Sequence, residues 1–386
     1  MVQDLYGINE YLVNIRRELH QIPEIEFDLV DTLNVVRREL MSMDLKVFEN
    51  YGQSSIVALI EGRHKDKTIA LRADMDALLI CEENQCEYKS KNEGKMHACG
   101  HDGHMAMLLG AARILCQNKD VLNGNVKLIF QASEEGPGSG AKLLVNDGVM
   151  DDVENIIALH LTNEYPVGIV AANIGPSMAS ARKFDIDIIG KGGHAGSPHE
   201  AIDAIALAVK VINEIQYIIS REIDPLESVV INIGTINGGY ASNVVAEKVS
   251  MSGTIRTFSL DLESKIMQKI KTLLDSIVLV NGAKYEFKYN AGLPPLYNDE
   301  ETVNKVSQSV EKVTGKKLEI LKKPQMGSED FVYYLEKTKG CIIWLGSSNK
   351  DKGFDRSLHN PRFDFDEDAL KVGCEIFVQY ILDSLK

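Results

Sequence analysis

Thr68-Ile69-Ala70-Leu71-Arg72-Ala73-Asp74-Met75-Asp76 is a short apolar run that ends in two carboxylates. Charged turns before it and the β-branched and aliphatic content inside it mark a strand. An acidic cap on the next segment accounts for Asp74 and Asp76 as well as a functional edge does. Two more runs carry the same pattern. Asn125–Gln131 (NVKLIFQ) leads to Glu134 and Glu135 and a turn rich in Gly136, Gly138 and Gly140, and Asn155–Leu161 (NIIALHL) holds His160 near its end. A solvated Glu-Glu loop or a core histidine explains either run alone. Three strands that all end in potential ligands favour one shared edge, because open α/β sheets bind at the carboxyl ends of their strands.

Between these runs lies Met96-His97-Ala98-Cys99-Gly100-His101-Asp102-Gly103-His104, followed by a helical run over Met105–Gln117. Cys99 and His101 are two apart, so an extended segment sends both side chains to the same side. Thiolate with neutral imidazole suits zinc or another late divalent metal. A lone Cys-x-His is more simply a buried thiol among core histidines, and the acid and imidazole signals at the other strand ends reverse that preference. His359, on a loop before Pro361, is a further imidazole for the same edge.

Outward from this centre, helices are expected over Asn9–Gln21, Leu29–Met41, Glu301–Thr314 and from Ala369 onward, and strands over Ser54–Glu61 and Gly340–Gly346. Residues 180–290 read differently. Strand Lys183–Gly190, helix Ala201–Arg221, strands Ser228–Thr235 and Glu247–Thr257, helix Leu260–Val280 and strand Tyr285–Tyr289 follow the split βαβ, ferredoxin-like order. The expected fold class is therefore a two-domain α/β protein, with segments 1–179 and 292–386 forming an α/β domain and 180–291 a βαββαβ insertion.

The length of 386 residues suits two domains. A net charge of −14 argues against nucleic acid or an anionic membrane as partner. No apolar run is long enough to span a bilayer, and Met1-Val2-Gln3-Asp4 begins no signal peptide. The six cysteines have no framework spacing, which fits a reducing cytoplasm. No Gly-x-Ser-x-Gly elbow supports a serine hydrolase.

Taken in order, the motifs resemble the metal-dependent amidohydrolase family of hippurate hydrolases, N-acyl-amino-acid amidohydrolases, auxin-conjugate hydrolases and N-acetyl-diaminopimelate deacetylases. They are Arg17–Glu24 (RELHQIPE), Arg72–Leu78 (RADMDAL), His97–Asp102 (HACGHD), Glu134-Glu135-Gly136, Gly190–Ala195 (GKGGHA), Gly253–Arg256 (GTIR), Gly327–Phe331 (GSEDF) and Leu358–Pro361 (LHNP).

The resemblance implies a zinc-peptidase-like catalytic domain, a lid or dimerisation domain and a homodimer. It implies two divalent ions per subunit (Zn, Mn, Ni or Co) on Cys99, His101, Glu135, His160 and His359, with Glu134 as general base and Asp76 in support. It also implies His194 as an oxyanion donor, in its own or a partner's site, and Asn243 and Arg256 as holders of a substrate carboxylate. The wider superfamily has a His ligand at Asp74, whereas the Cys-x-His subfamily draws on that pair instead, so Asp74 is left out. Two departures from the family pattern are Ala132-Ser133, where Pro-Ala is usual, and Arg182, where an acid is frequent. The implied activity is hydrolysis of N-acetyl or N-benzoyl amino acids, with a deacetylase of N-acetyl-diaminopimelate, a dipeptidase, or a non-catalytic metal- or peptide-binding protein as alternatives.

Overall fold

Continuous apolar runs build one sheet, buried on both faces, and alternating runs a second. A computed structural model describes residues 7–49, 51–136, 138–290 and 292–385. Met1–Asp4, read above for a signal peptide, and Ala291 and Lys386, at expected segment ends, lie outside these. In chain order the main strands are β1 (Lys46–Phe48), β2 (Ile56–Ile60), β3 (Thr68–Asp74), β4 (Asn125–Gln131), β5 (Asn155–Pro166), β6 (Val170–Ala172), β7 (Arg182–Ile189), β8 (Val229–Gly238), β9 (Lys248–Thr257), β10 (Lys284–Tyr289), β11 (Glu319–Ile320) and β12 (Lys339–Ser348). The main helices are α1 (Ile8–His20), α2 (Val30–Ser42), α3 (His101–Gln117), α4 (Ala204–Tyr217), α5 (Leu260–Asn281), α6 (Glu300–Thr314) and α7 (Asp368–Ser384). No helix among the described residues is long and apolar enough to cross a membrane.

The chain divides into two units. The first comprises Met1–Ser177, Tyr297–Lys323 and Asp330–Lys386, and the second Met178–Leu296 with Pro324–Glu329, a segment that the sequence reading assigns to 292–386. The first unit holds an eight-stranded mixed sheet ordered β1-β2-β4-β3-β5-β12-β6-β11. Its centre, β4-β3-β5-β12, is parallel, while β2 joins β4 antiparallel. Alternation along these strands separates two faces. Leu71, Leu128, Leu159 and Ile343 belong to the core shared with α1, α2, α3 and α7. Arg72, Asp74, Gln131, His160 and Trp344 are on the opposite parity.

Helix α3 is apolar nearly all round and almost wholly buried, as a central core helix must be. It begins so close to β5 that a Cβ on Gly103 would lie 2.5 Å from Leu161 Cδ1 and 2.8 Å from Phe365 Cζ. Gly103→Ala is accordingly expected to lose about 1–2 kcal/mol of stability, overpacking outweighing the gain in helix propensity. A urea midpoint equal to or above that of the parent would contradict this packing argument.

The second unit is built on an antiparallel sheet ordered β8-β9-β7-β10. Its strand and helix order, β7-α4-β8-β9-α5-β10, is βαββαβ. Phe184, Ile186 and Ile188 of β7 pack with Leu207, Val211 and Ile215 of α4 and Ile266, Ile270 and Leu274 of α5. Asp203 caps α4 by accepting from the amides of Ile205 and Ala206. Ser259 caps α5, and Gly282 ends it in the left-handed conformation.

Candidate metal centre

The Cys99–His101 pair is not extended. Gly100 takes φ 83° and caps α3, whose first residue is His101, four earlier than the sequence pattern suggested. A left-handed residue turns the chain sharply, and Gly adopts it without a Cβ clash. The turn, rather than strand alternation, therefore brings Cys99 and His101 to one place. Strand β5 also continues past His160 to Pro166, so His160 is internal to it.

Six predicted residues converge in the first unit. Cys99, His101 and His160 form one potential ion-binding group, Cys99, Glu135 and His359 a second, and His101, Glu134 and Glu135 a third. The Cys99 sulfur lies 3.6 Å from His160 Nε2 and 3.3 Å from His359 Nε2. Glu135 Oε1 lies 3.2 Å from His359 Nε2 and 4.0 Å from His101 Nε2.

The histidine tautomers follow from their partners. His101 Nδ1 donates to the Asp76 carbonyl at 2.8 Å, and His160 Nδ1 to the Leu161 carbonyl at 2.8 Å. A carbonyl only accepts, so in each neutral ring Nε2 keeps its lone pair toward the cluster. His101 Nε2 is buried without a hydrogen-bond partner. An unsatisfied buried ring nitrogen beside a thiol and a carboxylate fits a bound cation. Burial and the nearby Glu135 and Glu134 push the Cys99 thiol well up. A divalent ion in contact reverses that balance and holds the thiolate.

Asp76 organises the base loop. Its two carboxylate oxygens accept from the amides of Glu134 and Glu135, each at 3.0 Å. Ser133, at the position that departs from the family pattern, has φ 51° and donates its hydroxyl to the Gly138 carbonyl at 2.6 Å. That bond closes the loop carrying both glutamates. His359 also has a positive φ, 64°, and its amide donates to the Ala98 carbonyl at 2.8 Å.

Beside this cluster lies a buried polar lattice that the sequence reading did not find. Arg72 donates to Gln131 at 2.8 Å, to Asp74 at 2.7 Å and to Asp330 at 3.1 Å. Burial opposes ionisation of Asp74, but His101, Arg72 and His104 hold its carboxyl well below the usual range. On the α1 side, Asp102 accepts from Arg16 at 2.7 Å and pairs with His20 Nδ1 at 2.8 Å. Burial disfavours charge on His20, yet Asp102 and Glu82 raise its pKa to about 9. His20, Arg72, Asp74, Asp102 and Asp330 stand in the motifs quoted above, but nothing in the sequence said which of them would pair.

The remaining predicted residues belong to the second unit. His194 is exposed and pairs in register with Val244, and the Ala195 amide donates to the Asn243 carbonyl at 3.2 Å, so His194 and Asn243 are neighbours. Arg256, half-buried on β9, donates from Nη1 to the Met326 carbonyl at 2.8 Å. Arg182 is ion-paired with Glu263, which also accepts from the Ser180 hydroxyl.

Residues 70–383 match the peptidase family M20/M25/M40. A protein named thermostable carboxypeptidase 2, from Saccharolobus solfataricus, is 38% identical over 96% of this chain and 94% of its own length. One named N-acetylcysteine deacetylase, from Bacillus subtilis, is 35% identical over 97% of this chain and 98% of its own. The solved structure of the Bacillus subtilis YXEP protein, described as a dinuclear metal binding peptidase from the M20 family, superposes with a TM-score of 0.86 at 32% identity, covering 98% of this chain and 99% of the other.

Proposed function

Because this chain belongs to the peptidase family M20/M25/M40, we propose that it is a metal-dependent amidohydrolase cleaving N-acyl-L-amino acids of the N-acetyl or N-benzoyl type to a free amino acid and a carboxylic acid. One observation carries the reading. Cys99 is common to two donor groups, Cys99/His101/His160 and Cys99/Glu135/His359, with Glu134 beside them. Cys99, His101, Glu135, His160 and His359 would together hold two divalent ions, drawn from Zn, Mn, Ni or Co.

Such ions supply Lewis acidity toward the scissile carbonyl and make water more acidic. Glu134 takes the proton of the attacking water and delivers it to the leaving amine. Asp76 keeps Glu134 and Glu135 in register by binding both their amides. His194 donates to the developing oxyanion, from its own or a partner subunit. Arg256, with Asn243, holds the substrate carboxylate. A guanidinium has five donors in a planar fork, so the bond to Met326 is compatible with a bidentate substrate contact. The neighbouring Arg182 is committed to Glu263, which favours Arg256 for that role.

The first unit is then the catalytic domain and the second a lid and dimerisation domain. A homodimer is supported by β8, an edge strand of its sheet, and by exposed Val230 and Ile236 on β8 and Ile205, Val209 and Tyr217 on α4. Free cysteines throughout support a cytoplasmic location. The carboxypeptidase named above favours a second reading, hydrolysis of dipeptides. A binding protein without catalysis has no use for a Glu at position 134.

The test is a panel of N-acetyl and N-benzoyl amino acids, N-acetyl-diaminopimelate and dipeptides, run on chelated and remetallated protein. Chelation is expected to abolish hydrolysis, Mn²⁺, Zn²⁺, Co²⁺ or Ni²⁺ to restore it, and N-acyl amino acids to exceed dipeptides in kcat/KM. Full activity in demonstrably metal-free protein would end this reading, and preference for dipeptides would establish the second.

A further inference from the structure

We propose that His104 is a positioning residue that links the carboxyl ends of β3 and β5 and so sets the ring of His160 against Cys99. The proposal rests on the reading of Cys99 and His160 as metal donors. Strands β3 and β5 pair from Ile69↔Asn155 only to Arg72↔Ala158. Beyond that point β3 ends at Asp74 while β5 runs on through His160 and Leu161. Leu161 is in register with Leu345 of β12 on one side, but on the side of β3 its amide has no strand to bond, and a buried N–H must find another acceptor.

His104 supplies it. The Leu161 N–H donates to His104 Nε2 at 2.9 Å. An Nε2 that accepts carries no proton, so the tautomer has its proton on Nδ1, which donates to Asp74 Oδ1 at 2.6 Å. The imidazole thus stands in for a missing rung of the parallel ladder. Both of its nitrogens are used. Asp74, His101 and His104 come as close together as ion ligands do, but His104 has no lone pair left for an ion.

The consequence reaches the metal cluster through Leu161. The same residue whose amide is held by His104 accepts, at its carbonyl, from His160 Nδ1 at 2.8 Å. That bond keeps His160 Nε2 turned toward the Cys99 sulfur. The His104 ring also meets the His160 ring edge-on, with centroids 4.8 Å apart at 68°. Ring packing and the hydrogen bond both act on His160, and Asp74, itself held by Arg72, anchors the far side of His104.

Three variants of the full chain test this: His104→Leu, His104→Phe and His104→Gln. Phe keeps a ring and loses both bonds, whereas the Gln amide carries an acceptor for Leu161 and a donor for Asp74. The readouts are metal per chain by elemental analysis, affinity by competition with a chromophoric chelator, and the thiolate-to-Co²⁺ charge-transfer band of the Co²⁺ protein, with folding followed by circular dichroism. Leu and Phe are expected to weaken binding of one of two ions by roughly 10–100-fold, the usual size of a change behind a ligand histidine, and to shift the charge-transfer band. Gln is expected to recover most of the affinity. Phe and Gln carry the test if the Leu variant does not fold. Parental affinity and an unshifted band in folded Leu or Phe protein would overturn the proposal, and so would a loss in Gln as large as in Phe. If the parent protein itself binds no divalent ion, it is the proposed function that fails, before any variant is compared.

Discussion

Glu134→Gln is expected to lower turnover by at least roughly two orders of magnitude while the metal content stays at the parental level. The substitution is nearly isosteric. It leaves untouched the backbone amide through which Asp76 holds this residue at 3.0 Å, so the loop and its neighbour Glu135 keep their places. What is lost is a carboxylate able to receive a proton. Glu135, in contrast, shares a donor group with Cys99 and His359, and Glu135→Gln is expected to shed metal. A group that moves a proton only in the transition state should affect kcat and kcat/KM alike and leave KM nearly unchanged. Steady-state kinetics with parallel metal analysis separates the two glutamates. Metal loss in Glu134→Gln would mean that the adjacent residues have exchanged roles.

Arg16→Met is expected to cost about 3–5 kcal/mol of stability, the range for breaking a buried ion pair from one side. Arg16 is completely buried and donates to Asp102 at 2.7 Å, to Asp364 at 2.8 Å and to Glu367 at 3.3 Å. Its guanidinium also lies over the Phe365 ring at 4.3 Å and the Tyr88 ring at 4.8 Å. Met replaces the apolar stem but leaves the buried Asp102 without its guanidinium partner and dependent on the His20 ring at 2.8 Å. The control is Arg38→Met on the next helix. Arg38 pairs with Glu18 at 2.7 Å, but both side chains are about half exposed, and its loss is expected to cost no more than about 1 kcal/mol. Urea unfolding of the two variants beside the parent checks the contrast. Equal losses would show that the α1 network contributes no more than a surface pair. Because Asp102 directly follows His101 in α3, Arg16→Met is also expected to weaken metal retention before it unfolds the chain.

Much of this protein is decided by local pattern. The short apolar runs Thr68–Asp74, Asn125–Gln131 and Asn155–Leu161, bounded by turn residues, were enough to recognise strands with potential ligands at their ends. The apolar stripes of α1, α4 and α5 were enough to recognise helices, but the Asp203 cap that starts α4 three residues later than expected and the left-handed Gly282 that ends α5 came from the structure. The βαββαβ order of residues 182–289 was legible because periodicity is set by near neighbours along the chain. Thiol, imidazole and carboxylate recurring near strand ends made Cys99, His101, Glu135 and His160 candidates, and the family resemblance supplied the full set with His359.

Local pattern did not reveal how those groups meet. Extended geometry was the wrong basis for pairing Cys99 with His101; a left-handed Gly100 and the start of α3 do it, because packing of the helix N-terminus under β5 selects that turn. His104 reads in the sequence as a third imidazole of the same motif. Only the fold, by ending β3 early and running β5 past it, supplies the Leu161 amide, 57 residues away, that occupies its lone pair. Arg16 looks like one more charge on an amphipathic helix until Asp102, 86 residues on, is brought against it. A sequence pattern reports which residues are buried or turned, whereas the partner that makes a buried polar group tolerable is chosen by which segments pack together, and that choice belongs to the tertiary structure.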